Sequence, residues 1–214
     1  MSKALVLDFG GVVTRTLFET HRETEAALGL PKGSLNWRGP FAPDTDELWH
    51  RMINNEISER DYWLTRSKEI GAMIGCDWTS MQEFVIAARS ERPIEIIRPE
   101  FLETLNYAKQ NGIRLGILSN ELDLFYGADF RERLPFLADF EQIIDATYTK
   151  ILKPDPRAYG MICDALDLSA DKFVFVDDQY RNIKGAIDFG MQTVHFDVRN
   201  PRDSYAEAIQ KLGE

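Results

Sequence analysis

Residues 4–13, ALVLDFGGVV, decide the fold. Ala4-Leu5-Val6-Leu7 is a short apolar run, the pattern of a strand buried on both faces of a parallel sheet. Asp8 ends the run, and Phe9-Gly10-Gly11 follow at once. Paired glycines permit backbone angles with φ > 0 and a close approach of main chain to a ligand. A carboxylate at the carboxyl end of a central parallel strand stands where open α/β sheets bind ligands. Taken alone, the stretch reads equally well as a strand, a capping Asp and a glycine turn, and three later stretches settle the choice.

After Val13 the periodicity turns helical. Leu17 to Leu28 is expected to form a first helix ended by Gly29. Pro31 to Pro43 holds glycine, proline and two large aromatics and reads as a loop. Asp44 with Glu47 predicts the next helix start, with Leu48, Met52 and Ile53 as its apolar stripe. Ser58 with Asp61 predicts another helix through Ile70, and Thr79 starts one carrying Met81, Phe84, Val85 and Ala88. Residues 15–92 therefore form an inserted helical domain, with Trp37, Trp49 and Trp63 expected to pack its interior rather than line a ligand box. From residue 93 helix and strand alternate. Pro99 opens a helix that presents Phe101, Leu102, Leu105 and Ala108 and closes at Asn111-Gly112. Strands are expected at Ile113–Leu118, Gln142–Ala146, Phe173–Val176 and Thr193–Phe196. Asp155-Pro156 opens one helix, Gly190 stops another after Phe189, and a last helix runs from Arg202 to Leu212. The fold class is α/β: a Rossmann-like parallel sheet core, residues 1–14 and 93–214, with a helical-bundle cap over 15–92.

The chain has 214 residues, 28% of them charged, with a formal net charge of −10. That charge argues against a nucleic-acid partner, yet it leaves room for a locally positive site that binds a small anion. No apolar run reaches the roughly 20 residues that span a bilayer, and no signal peptide is visible before Ala4. Cys76 and Cys163 are expected to be small buried hydrophobes rather than a disulfide or metal pair. The expected location is the cytoplasm, with no membrane partner.

Three predicted strands end in polar residues: Asp8, then Ser119-Asn120, then Asp177-Asp178. In a parallel sheet those ends share one edge, and Lys153 arrives there on a loop before a helix. Each piece has a structural explanation by itself, as a helix cap or a solvated lysine. Together and in this order they fit phosphoryl transfer. Asp8 would be the nucleophile that attacks phosphorus. Asp177 and Asp178 are adjacent like charges that call for a cation, and Mg²⁺ prefers such oxygen ligands. Ser119, Asn120 and Lys153, with the backbone around Phe9-Gly10, would hold the phosphate oxygens.

These residues resemble the haloacid dehalogenase superfamily of hydrolases. Its four motifs match VLDFGGVV, ILSN, LKP and VFVDD. The phrases RPEFLETLNYAKQNG, KPDPRAYG and DDQYRNIKGA look like the branch that holds small sugar-phosphate phosphatases and the N-terminal domain of soluble epoxide hydrolase. The resemblance implies an aspartate nucleophile at Asp8 assisted by Lys153. It also implies Mg²⁺ held by Asp8, the Gly10 carbonyl, Asp177 and Asp178. The expected partner is then a small phosphorylated substrate such as a sugar phosphate, and the chain is expected to be a monomer or homodimer. One departure matters: phosphatases of this superfamily usually carry a second aspartate, a general acid and base, where this chain has Gly10. Thr14, Arg15, Glu19, His21 and the Trp37-Arg38 loop are the places to look for a substitute. Two other readings stay open. One is a metal-independent 2-haloacid dehalogenase, disfavoured by Gly10-Gly11-Val12 and the acidic pair. The other is a non-catalytic protein that binds a phosphate ligand.

Overall fold

The computed structural model describes residues 3–54, 56–89, 93–120, 122–126 and 129–213. Five parallel strands form one sheet: β1 (Ala4–Leu7), β2 (Arg114–Ser119), β3 (Gln142–Asp145), β4 (Phe173–Asp177) and β5 (Gln192–His195). Their order is β3-β2-β1-β4-β5. β1 is central and buried along its whole length, which is why its sequence is apolar without alternation. Leu7 pairs with Ile117 on one side and Val176 on the other. From β1 the chain builds outward through β2 to β3, then returns to the other side of β1 for β4 and β5. Such a reversal opens a crevice at the carboxyl edge beside the central strand. β2 is shifted by one residue from the expected span, and β5 starts and stops one residue early.

The chain divides into two compact units, residues 1–15, 97–123 and 131–214 in one, and 16–96 with 124–130 in the other. The second unit is helical. It contains α1 (His21–Ala27), α2 (Glu47–Ile53), α3 (Glu59–Met73) and α4 (Met81–Arg89). The sequence boundary at Arg92 lies outside the described residues. The segment 124–130, expected with the sheet, groups instead with these helices, where the Arg89 guanidinium lies over the Tyr126 ring at 6.0 Å. α1 is shorter than expected because the Glu19 carboxylate accepts from the N–H and hydroxyl of Thr16, both at 2.8 Å, closing a turn ahead of it. Leu17 and Phe18 enter the core from that turn. Phe18 meets Trp37 and Trp49 edge-on, with ring centroids 5.4 and 5.2 Å apart, so the tryptophans pack as expected.

The cap of α2 is Asp46, not Asp44. Pro43 begins a separate short turn that ends with the Asp46 N–H on the Pro43 carbonyl, so α2 can start only after it. Asp44 is exposed, and Ile53 also turns to solvent at 49% exposure. The buried Asp46 carboxylate accepts from the Trp49 N–H (2.9 Å), the Tyr62 hydroxyl (2.8 Å), the Arg66 guanidinium (2.6 Å) and the Gly39 N–H (3.3 Å). At α3 the expected capping box is present: Ser58 Oγ accepts from the Asp61 N–H, and Asp61 accepts from the Ser58 N–H.

In the sheet unit, α5 (Pro99–Gln110) packs through Phe101, Thr104, Leu105 and Ala108, while Leu102 is 36% exposed. Single turns α6 (Leu122–Tyr126), α7 (Asp129–Glu132) and α8 (Ala146–Thr149) follow, α6 and α7 each spanning a division of the chain between the units. α9 (Pro156–Leu166), α10 (Tyr180–Phe189) and α11 (Pro201–Gly213) complete the chain. Asp155 caps α9 through the Arg157 N–H, and Gly190 ends α10 at φ +104°. Cys163 is half-buried, but Cys76 is exposed, because it lies in the turn after α3 with its N–H on the Gly71 carbonyl; both are free thiols. No helix among the described residues is long and apolar enough to cross a membrane.

Asp46 gives a direct test of the helical unit. Burial pushes its carboxyl up, but the Trp49 N–H, Tyr62 and Arg66 outweigh that and hold it below its ordinary value. Its contribution to stability is therefore complete above the unfolded carboxyl's pKa and is lost as pH falls through the lower folded-state value. Asp46→Ala leaves Arg66 with Glu69 as a partner but takes the acceptor from the buried Tyr62 hydroxyl and from the Trp49 N–H; it is expected to cost about 1–3 kcal/mol, measured by urea unfolding with tryptophan fluorescence. Asp46→Asn should remove this carboxyl's share of the acid-induced loss of stability.

Candidate active site

The register of the sheet assembles the site. Asp8 extends β1 by one residue, its N–H on the Val176 carbonyl at 2.9 Å. Asp177 is one residue past the β4 partner of Leu7 and so stands level with Asp8. Ser119, buried at the end of β2, lies two residues past the β2 partner of Leu7 on the same edge. Lys153 comes from the loop between α8 and α9. Its Nζ donates to Asp8 Oδ1 at 2.8 Å and to Asp177 Oδ2 at 2.7 Å, and lies 5.2 Å from the centroid of the Phe175 ring. The Lys153 side chain is 1% exposed, so it is not a solvated surface lysine.

Charge dominates this cluster. Burial, with the like charge of Asp177 adding to it, pushes the Asp8 carboxyl up to about 6 even though Lys153 pulls it down. Burial alone would lower the Lys153 ammonium, but Asp177 and Asp8 overcome it and hold the proton more tightly than usual. One carboxylate oxygen from each of Asp8, Asp177 and Asp178 lies within 4.8 Å of the others. Asp8 and Asp177 share the Lys153 ammonium, and Asp178 brings a third carboxylate beside them. A cation with a preference for oxygen fits this donor set, and Mg²⁺ is such a cation.

The structure separates residues that the sequence treated alike. The Asp177 carboxylate is fully buried and, besides Lys153, accepts from the Gln179 N–H (2.8 Å) and from Asn182 Nδ2 at 3.1 and 3.0 Å to its two oxygens. It braces Lys153 and the start of α10 as well as facing the acidic cluster. Asn120 likewise takes on a different task from the expected one. Its side-chain oxygen accepts from the Lys153 N–H at 2.7 Å and its Nδ2 donates to the Lys153 carbonyl at 3.1 Å. The amide thus clamps the backbone that delivers Lys153, and any hold on phosphate falls to its remaining groups. Asn182 escaped the sequence reading although it stands inside DDQYRNIKGA. The available signal was a polar residue five positions after Asp177, on the inner side of the following helix.

Gly10 and Gly11 also differ. Gly10 has φ −71° and ψ 128°, open to any L-residue, and a Cβ there would meet nothing within 4 Å. Gly11 has φ +79°, and a Cβ there would collide with the Asp178 carboxylate. The positive φ anticipated for the pair belongs to Gly11 alone. Of the residues considered as substitutes for a missing acid, Thr14 closes the loop with its N–H on the Phe9 carbonyl at 3.0 Å. Glu19 caps the turn at Thr16. His21 packs edge-on against Trp37 at 4.4 Å, and burial first, then Arg38, lowers its ring to about 4.

The family model for haloacid dehalogenase-like hydrolases matches residues 2–190. (S)-2-haloacid dehalogenase 4A of Burkholderia cepacia is 34% identical over 211 residues, 96% of this chain and 84% of that protein. Mouse acyl-CoA dehydrogenase family member 10 is 23% identical over 99% of this chain, which spans only 19% of that protein's length. A family enzyme from Bacteroides thetaiotaomicron, solved with magnesium and inorganic phosphate, superimposes with a TM-score of 0.54 at 18% identity, covering 92% of this chain and 95% of its own.

The two glycines should respond oppositely to a methyl group. Gly10→Ala is expected to stabilise by about 0.4–1 kcal/mol, because it restricts only the unfolded chain. Gly11→Ala is expected to destabilise by more than that and to displace Asp178. Chemical denaturation of the two variants, side by side, measures the contrast.

Proposed function

The chain belongs to the haloacid dehalogenase-like hydrolases, and on that footing we propose that it is a Mg²⁺-dependent phosphatase of a small phosphorylated metabolite, acting through an aspartyl-phosphate on Asp8. The supporting observation is the convergence of Asp8, Asp177 and Asp178, with the Lys153 ammonium between the first two. Carboxylates that close do not all stay ionised without further positive charge. Asp8, Asp178, Asp177 and the Gly10 carbonyl would hold the ion, which when bound supplies the charge that lets a phosphate dianion approach three acids.

Asp8 attacks phosphorus, the bond to the leaving oxygen breaks, and that oxygen departs with the electron pair. Water then attacks the phosphorus of the aspartyl-phosphate, releasing inorganic phosphate and regenerating the carboxylate. Lys153 orients Asp8 and offsets its repulsion of the incoming phosphoryl group. The Ser119 hydroxyl and the N–H groups around Phe9-Gly10 are assigned to the phosphoryl oxygens. The helical unit is assigned the role of a cap that selects substrate. No nucleic acid or membrane is needed as a partner, and a cytoplasmic monomer or homodimer suits this role.

The second reading, a metal-independent 2-haloacid dehalogenase, draws on the 34% identity with the Burkholderia cepacia enzyme. There Asp8 would attack carbon and displace halide, with no call for the acidic pair. An assay of phosphorylated metabolites and 2-haloacids, with Mg²⁺ and with EDTA, separates the two. Phosphate release that stops in EDTA supports the phosphatase; halide release that persists in EDTA replaces it. Phosphate binding without turnover leaves a non-catalytic binder.

Asp8→Asn should abolish phosphate release in a folded protein, since the change is nearly isosteric and removes the nucleophile. Turnover retained at the wild-type level in a preparation free of deamidation would sink the mechanism. With glycine at position 10, kcat/KM should fall steeply as the leaving-group pKa rises, because an acid speeds departure most when the leaving oxygen must be protonated. Acyl, aryl and anomeric phosphates should outperform primary sugar phosphates. Gly10→Asp, which the backbone accommodates, should help the poor leaving groups most. A flat dependence on leaving-group pKa, with chemistry rate-limiting, would mean that another group supplies the proton.

A further inference from the structure

The loop from Phe9 to Val13 is held by residues far from it in sequence. Arg98, immediately before α5, is 2% exposed. Its Nε donates to the Gly11 carbonyl at 2.9 Å, and its main-chain N–H donates to the Val13 carbonyl at 3.0 Å. Tyr205 on α11 is equally buried, and its hydroxyl donates to the Val12 carbonyl at 2.9 Å. Phe196, the residue after β5, joins these two groups. The Arg98 guanidinium lies 5.4 Å from its ring centroid, and the Tyr205 ring meets it edge-on at 5.1 Å. The Phe196 N–H donates to the Asp177 carbonyl at 2.9 Å, so the same cluster also ties down the acidic strand end.

A guanidinium buried this deeply is a costly way to fill a core, since well-packed apolar side chains often replace buried charges with no loss of stability. The same holds, more weakly, for a buried phenol. What the two share is their target: consecutive carbonyls of the loop that follows Asp8. With the Gly11, Val12 and Val13 carbonyls taken by buried donors, and the Phe9 carbonyl by the Thr14 N–H, the peptide planes around Gly10 have little freedom. The Gly11 N–H, on the peptide that carries the Gly10 carbonyl, also donates to Thr14 Oγ1 at 3.4 Å, while Gly10 itself adds no restraint, since its backbone is in an open region with no side chain.

We propose that Arg98 and Tyr205 are positioning residues that set the Gly10 carbonyl and Asp8 for the cation, an inference that rests on the Mg²⁺-dependent phosphatase reading. Groups behind a metal ligand typically change affinity by about 10–100-fold when removed. Calorimetric titration of Mg²⁺ into wild type, Tyr205→Phe and Arg98→Met tests it, with thermal unfolding of each protein in EDTA alongside. Tyr205→Phe removes one oxygen and keeps the ring, so it stays informative if Arg98→Met does not fold. The expected result is Mg²⁺ binding roughly tenfold weaker in folded Tyr205→Phe, at a temperature well below its unfolding transition, and weaker still in folded Arg98→Met. A purely structural role would lower the transition temperature and leave the Mg²⁺ affinity of the folded protein unchanged, which would overturn the proposal. Wild type that binds no Mg²⁺ would instead bring down the phosphatase reading, and this inference with it.

Discussion

The carboxyl edge of the sheet depends on one buried ammonium. Lys153 sits between Asp8 and Asp177 with its side chain 1% exposed, where an isolated charge would be strongly disfavoured. It stays protonated because two carboxylates face it, and those carboxylates stay this deep because it faces them. Each partner comes from a different part of the chain: Asp8 from the end of β1, Asp177 from the end of β4, and Lys153 from a loop clamped by Asn120 just past β2. The sheet order makes the meeting possible, since β1 lies between β2 and β4. Removing Lys153 would leave both buried carboxylates without their counterpart, which is costlier than the pair's net contribution to stability.

Asp178 joins the same edge, and the position of its carboxylate against Gly11 explains why that residue is glycine on two counts, a positive φ and lack of room for a Cβ. The 34% identity to a haloacid dehalogenase, over 96% of this chain, speaks to shared family and fold.

The helical unit repeats the principle with different residues. Asp46 is its buried acid, and a guanidinium, a phenol and two main-chain N–H groups converge on it. Around it the aromatic side chains of Phe18, Trp37, Trp49, Tyr62 and Trp63 meet at angles, an arrangement that suits ring quadrupoles better than face-to-face stacking. A polar hub inside an aromatic core fixes one arrangement among many that would bury the same area.

By itself the sequence determined the strands, because uninterrupted apolar runs bounded by turn residues have few other uses. It also determined the order of polar strand ends, and hence that Asp8, Lys153, Asp177 and Asp178 belong together. Local caps were legible where the capping side chain and its N–H partner lie within three residues, as at Ser58 and Asp155. They were misread at Asp44 because the neighbouring Pro43 starts a turn of its own. Only the tertiary structure decided which glycine needs its freedom, that Asn120 clamps Lys153, that Asn182 braces Asp177, and that Arg98 and Tyr205 reach the loop after Asp8. Those contacts join residues from 5 to 193 positions apart. Periodicity and motif spacing report which face of an element is buried; they do not report which distant side chain meets a given carbonyl, because that depends on how the elements pack.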